Sequence, residues 1–268
     1  MVSALLDTVY NNIRSLIIGK MYSSSDLAFY DQGKKFPSVI VANINTSIDS
    51  VLLPTMASAQ DDSGRVKSMT RRAIKTSTYI MAPLMMGLAF CAEPIVRLVL
   101  TDKWLPCVPF LRIFCITYMF YPIHTANLNA IKAMGRSDLF LKLEIAKKIV
   151  GMTLLLSTMW FGVMAMAYSL LVSSVTSQII NSWPNRKLLN YRYLDQLRDI
   201  LPGIALAIFM GCCVNLVGLL HLSNAATLLI QIPMGAAIYI GASAAMRLES
   251  YEYLMGMIRP VLKKIARK

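Results

Sequence analysis

Apolar residues gather into long runs separated by short polar segments: roughly 3–19, 36–56, 76–92, 105–131, 139–160, 163–183, 200–220 and 223–246. Each run is close to the 20 or so residues that carry an α-helix across a bilayer. The pattern therefore predicts eight transmembrane helices. A spanning segment must satisfy its own backbone hydrogen bonds, which leaves helices or a closed barrel. A barrel would alternate apolar and polar residues over about ten positions per strand, and these runs of Leu, Ile, Met and Ala do not alternate.

Composition supports a membrane solvent. The 268 residues are 56% hydrophobic and only 15% charged, with 18 Met and a mean hydropathy of +0.54. That is more apolar surface than a soluble core of this size would bury. The net charge of +13 would suit nucleic acid, but its distribution points to topology instead. Segments 57–75, 132–148, 183–200 and 247–268 hold 20 of the 27 Lys and Arg; the loops on the opposite side hold Lys20, Lys34, Lys35, Arg97 and Lys103. The positive-inside rule places the basic segments, and with them both termini, in the cytoplasm. Nucleic acid is not expected as a partner; membrane lipids are.

Residues 1–20 lack a basic n-region and carry Asp7 within the apolar part, so they are expected to stay as a helix rather than leave as a signal peptide. The basic stretch 183–199 divides the chain into residues 1–183, a six-helix lobe, and 184–268, a connector followed by two further helices and a basic cytoplasmic tail. Shorter signals punctuate the rest. "DDSG" at 61–64 marks a turn, Gly135 and Arg136 another before a cap at Ser137 or Asp138, and "WFG" and "HLSN" mark tight turns at 160–162 and 221–224.

Candidate chemistry is sparse. Two His and four Glu offer no catalytic triad, metal cluster or phosphate loop, so neither an enzyme nor a cofactor or metal is expected. The five Cys have no metal-like spacing and are assigned to packing.

Polar residues inside the runs are more informative, because in lipid they should face protein or water. Ser3, Asp7, Tyr10, Asn11 and Arg14 share one stripe of the first helix. Asn43, Thr46, Ser47 and Ser50 share a face of the second, with Asn45 and Asp49 on another. Thr117, Tyr121 and His124 align in the fourth, where Pro122 predicts a kink. Ser169, Ser173, Thr176 and Gln178 read as close helix packing in the sixth. Arg112 reads as snorkelling, His124 as a packing residue or a proton carrier, and Asp49 as a cation- or proton-coupling site or a bonded acid.

The stretch "NNIRSLIIGKMYSSSDLAFYDQGKKFPSVIVANINTSIDSVLLPTMA" (11–57), then "LVLTDKWLP" (98–106) and "NLNAIKAMGRSDLFLKLEIAKK" (127–148), resemble the C-terminal half of Wzx-type polysaccharide and O-antigen exporters. These are lipopolysaccharide biosynthesis flippases of the multidrug/oligosaccharidyl-lipid/polysaccharide (MOP) superfamily. The resemblance covers residues 1–150 by motif and the remainder by helix count. Ala28, Gln32 and Thr101 depart from the family's Gly, Arg and Gly.

The resemblance implies an all-α integral membrane fold, the C-terminal six-helix lobe plus two extra helices of a fourteen-helix transporter. It implies movement of an undecaprenyl-pyrophosphate-linked oligosaccharide across the bacterial inner membrane by alternating access. Asp7, Asn11, Arg14, Asn43, Ser47, Asp49, Tyr121 and His124 would line the cavity, with Lys20, Lys34 and Lys35 at its outer mouth. Partners would be the lipid-linked oligosaccharide and an N-terminal lobe or other polysaccharide assembly proteins. Two alternatives stay open: a cation-coupled small-molecule exporter of the MATE type using Asp7 or Asp49, and a truncated half that transports nothing.

Overall fold

The turn at Ser23 sets the longest element. Its hydroxyl accepts from the Asp26 amide at 3.0 Å while the Asp26 carboxylate accepts from the Ser23 amide at 3.3 Å, a capping box that satisfies two otherwise unpaired donors. A computed structural model describes the backbone of residues 2–220 and 222–265 and the side-chain surroundings of 12–220 and 222–259. Its α-helices in chain order are α1 (Val2–Met21), α2 (Ser24–Ala57), α3 (Ser63–Phe90), α4 (Ala92–Val99), α5 (Val108–Met119), α6 (Tyr121–Ala133), α7 (Ser137–Thr158), α8 (Val163–Leu188), α9 (Tyr193–Val217), α10 (Asn224–Ala245) and α11 (Glu249–Ile265). No strand occurs among the described residues.

Every apolar run contains a helix, but not all of these helices are apolar enough to cross a membrane on their own. Five are: α2, α5 with α6, α8, α9 and α10; α3 and α4, bent by 68° at Cys91, would make a sixth. The expected eight is thus supported for five or six. Helices α1 and α7 fall short because α1 carries Asp7, Arg14 and Lys20, and α7 carries Asp138, Lys142, Glu144, Lys147 and Lys148. The outward faces agree with lipid as solvent: Leu216, Leu229 and Ile232 are 61%, 75% and 62% exposed, which water would disfavour.

Punctuation explains the breaks. Asp62 caps α3 by accepting from the Arg65 amide at 2.9 Å. Pro122 ends the run of α5 and begins α6, because its ring blocks the preceding turn and it has no N–H to donate. Gly135 and Gly162 take φ of +70° and +99° at the turns on either side of α7, a region open to glycine. The expected cap at Ser137 or Asp138 does not form; Arg136 precedes the helix and holds Asp138 in an ion pair at 3.0 Å. That pair keeps the Asp138 carboxyl below its ordinary range.

Helix α3 is the centre of the packing, against α9, α5, α6 and α2. Two apolar clusters result. One joins Met81, Met85, Leu111, Phe114 and Met166; the other, toward the N-terminal ends of α3 and α9, joins Met56, Val66, Ile74, Ile123 and Ile200. Helices α2 and α5 come close at Gly33, where a β-carbon would lie 2.8 Å from Phe110 Cβ and 2.9 Å from the Cys107 carbonyl oxygen.

Candidate functional site

Helix α2 carries an exposed polar face. Asn43, Thr46, Ser47 and Ser50 are all exposed and span about 10 Å at 1.5 Å per residue. Each returns a donor to its own backbone: Asn43 to Val39 O, Thr46 to Ala42 O and Ser47 to Asn43 O at 2.8 Å, and Ser50 to Ser47 O at 3.0 Å. Such back-bonding lets hydroxyl and amide groups sit at membrane depth, and their oxygens still have acceptor capacity for an incoming hydroxyl. On the adjoining face, Asp49 accepts from Asn129 Nδ2 of α6 at 2.6 Å, tying α2 to α6.

Beyond Asp49, an aromatic row follows α5 and α6. Tyr118, Tyr121 and His124 meet edge to face, with centroid distances of 5.0 and 5.6 Å. Tyr121 is 37% exposed. The Asn181 amide nitrogen of α8 lies 3.1 Å from His124 Nδ1. Tyr121 and His124 therefore belong to α6, which flanks α2 and packs on α8 as well, and Asp49 on the adjoining face of α2 bonds to that same helix.

Arg14 stands apart from this exposed face. It is 9% exposed and donates to the Met166 carbonyl and, at 2.7 Å, to Ser169 Oγ. It joins α1 to α8, and the Ser169 hydroxyl expected to serve helix packing is one of its acceptors. The side chains of Asp7 and Asn11 lie outside the described residues. Lys20 is exposed at the end of α1. Lys34 and Lys35 are not in a loop: they fall within α2, about 15 Å along it from Ser24.

Two polar clusters escaped the sequence reading. Asn127, Asn185 and Gln196, fully buried, form a triad: Asn185 Nδ2 donates to Asn127 Oδ1 at 2.7 Å, Gln196 Nε2 to the same oxygen at 3.1 Å, and Asn127 Nδ2 to Gln196 Oε1 at 2.8 Å. The available signal was spacing, since Gln178, Asn181 and Asn185 recur on one face of α8, which runs through the segment taken for a connector. The second cluster is ionic. Arg71 grips Asp199 through two hydrogen bonds of 2.8 and 2.7 Å, Tyr191 donates to Asp199 at 2.8 Å, and Lys75 pairs with Glu249. Burial, together with the Asp199 carboxylate, pushes the Tyr191 phenol up.

These contacts bring the starts of α3 and α9 and the end of α10 to one side. On the other, Tyr22 of the α1–α2 turn donates to Met159 O at 2.6 Å and accepts from the Gly162 amide at 2.9 Å, fixing the α7–α8 turn. No group of three or more His, Cys, Asp or Glu that could hold a metal ion occurs among the described residues.

Residues 1–109 match the family described as "Polysaccharide biosynthesis protein". The chain is 26% identical over 181 residues to an "Uncharacterized membrane protein in cps region" of Klebsiella pneumoniae, an alignment that takes in 66% of this chain and 37% of that protein. It is 22% identical to the teichuronic acid biosynthesis protein TuaB of Bacillus subtilis, over 78% of this chain and 44% of TuaB. It is 21% identical to the lipopolysaccharide biosynthesis protein WzxC of Escherichia coli, over 67% of this chain and 36% of WzxC. Among solved structures, the lipid II flippase MurJ in an inward closed conformation superposes with a TM-score of 0.71 at 17% identity, covering 89% of this chain and 52% of MurJ. The chain thus spans less than half the length of these curated relatives, and its fold is like that of about half of MurJ. The resemblance to Wzx-type proteins of the MOP superfamily holds.

Proposed function

We propose that this chain forms one lobe of an inner-membrane transporter that moves an undecaprenyl-pyrophosphate-linked oligosaccharide for exopolysaccharide or O-antigen assembly. Support comes from the polysaccharide biosynthesis family match, the MurJ-like fold and, above all, one observation: a spanning helix, α2, exposes Asn43, Thr46, Ser47 and Ser50 side by side. Facing lipid, these groups would be a cost; facing a water-filled cavity, they offer hydrogen bonds to sugar hydroxyls. In this reading α1 to α8 form the six-helix lobe, α9 and α10 are the two added helices, and all eight runs cross the membrane. The basic ends of α3, α9 and α10 then lie in the cytoplasm with both termini.

The α2 stripe faces the cavity, where Tyr121 supplies an aromatic surface and His124 and Asp49 close the flank. Arg14 contributes from beneath by holding α1 on α8, and Asp7 and Asn11 continue its stripe. Lys20 marks the outer mouth, with Lys34 and Lys35 lower on its wall. Transport proceeds by rocking of one helix bundle against another around this surface.

Single cysteines at Asn43 and Ser47, probed in intact membranes with a membrane-impermeant maleimide, test the assignment. Both should label, whereas a cysteine at Leu229, on the apolar face of α10, should not. Absence of labelling at both α2 positions would remove the cavity from this face. Ser47→Leu and Asn43→Leu should then lower polymer export while protein level in the membrane is unchanged.

A further inference from the structure

The ionic cluster at the basic end has a feature that ion pairing does not use. Two adjoining cavities, of about 220 and 280 Å³, open between α3, α9 and the α10–α11 corner and share Arg198 and Asp199. Five cations (Lys67, Arg71, Lys75, Arg198 and Arg247) line them against three carboxylates (Asp195, Asp199 and Glu249). The carboxylates are largely occupied. Asp199 is gripped by Arg71, Glu249 by Lys75, and Asp195 accepts from the Arg192 amide at 3.2 Å. Arg198 and Arg247 are both exposed and form no ion pair among the described residues.

Arg247 is also placed at a backbone cost. Its φ is +49° at the end of α10, where the Leu248 amide closes the turn onto Ser243 O at 3.1 Å. Helices commonly end this way with glycine, because a β-carbon disfavours the left-handed conformation. Here a guanidinium occupies that position and lines the cavity. Immediately beyond it, α11 turns away with Met257 and Ile258 exposed at 57% and 41%, while Tyr253 sits under Arg72 at 4.8 Å. An apolar helix face beside a basic cleft at the end of spanning helices matches the inner-leaflet surface, with acyl chains against the one and phosphate in the other.

We infer that this cleft binds a phosphate group, with Arg198 and Arg247 as its principal donors, and that the group belongs to an anionic phospholipid headgroup at the membrane surface. Guanidinium pairs a phosphate through two parallel hydrogen bonds, which an exposed lysine cannot reproduce. The site lies at the opposite end of the bundle from the Tyr22 turn and is separate from the α2 stripe. It does not depend on the chain being an exporter.

The test uses the full-length chain purified in mild detergent, with lipid retention read by native mass spectrometry after adding phosphatidylglycerol or phosphatidylcholine. Arg198→Gln/Arg247→Gln is compared with Lys103→Gln/Lys142→Gln, a charge-matched control at exposed positions outside both cavities, and size exclusion confirms that both fold. The wild type should prefer phosphatidylglycerol, the arginine variant should bind it about thirtyfold more weakly, and the control should match the wild type. Equal retention by the arginine variant, or an equal loss in the control, overturns the site. Inorganic phosphate added at millimolar concentration separates the sources. Displacement of the lipid shows that phosphate itself is recognised, and lipid retained against it assigns the site to the headgroup within a membrane; either result supports the site, provided the arginine variant fails.

Discussion

Gly33→Ala puts a close contact between α2 and the start of α5 under strain. The added β-carbon would lie 2.8 Å from Phe110 Cβ and 2.9 Å from both the Cys107 carbonyl oxygen and the Leu111 amide nitrogen. Carbon atoms rest at about 3.5–4.0 Å, so α2 and α5 must part by roughly an ångström. Two of the three obstacles are backbone atoms, and no rotamer change removes them. Overpacking of this kind costs about 1–3 kcal/mol, and the better helix propensity of alanine returns about 0.5–1 kcal/mol. The net destabilisation is about 0–2.5 kcal/mol, at about 2–4 °C in apparent Tm per kcal/mol for a chain of this size. Gly241→Ala in α10 is the control, because a β-carbon there meets nothing within 4 Å and only the propensity gain remains. Thermal unfolding of both purified variants in the same detergent reads the difference. A Gly33→Ala protein as stable as Gly241→Ala would refute the α2–α5 approach, and with it the placement of the α2 stripe.

Other outcomes follow from single contacts. Asn127→Leu should cost about 2–4 kcal/mol, because the buried amides of Asn185 and Gln196 lose their shared acceptor and partner; chemical denaturation measures it, and a loss under 0.5 kcal/mol would show the triad to be unimportant. Tyr22→Phe removes the hydroxyl between Met159 O and the Gly162 amide and should cost about 1–2 kcal/mol, read as a lower apparent Tm. Arg14→Ala should abolish polymer export while membrane insertion stays intact, since the tie from α1 to Met166 and Ser169 of α8 is lost; full export would make that tie dispensable. Asp199→Asn should loosen α3 from α9 by weakening the paired hydrogen bonds from Arg71, seen as faster proteolysis near residue 190.

The elements were legible because membrane solvation writes them in composition. A helix in lipid must be apolar along its length, so each run announced its element, and Pro122, Gly135 and Gly162 announced the breaks. Charged helices blurred the signal: α1 and α7 form as expected but do not pass as spans on composition. The start of α2 was misplaced by twelve residues because Asp26, Asp31, Lys34 and Lys35 resemble a loop, whereas Ser23 and Asp26 cap a helix that continues through them.

By itself the sequence determined the helical class, the polar stripe on α2 and the family resemblance, because periodicity and motif are local properties of a chain. Only the tertiary structure decided which stripes stay uncovered. Arg14 and Asn43 both sit on polar faces of predicted helices, yet Arg14 meets α8 and is buried while Asn43 is exposed. The same holds for Asn127, Asn185 and Gln196, up to 69 residues apart, and for Arg71 and Asp199, 128 apart. A polar group in a membrane protein must find a partner or water, and which of these it finds depends on helix packing rather than on its neighbours in sequence.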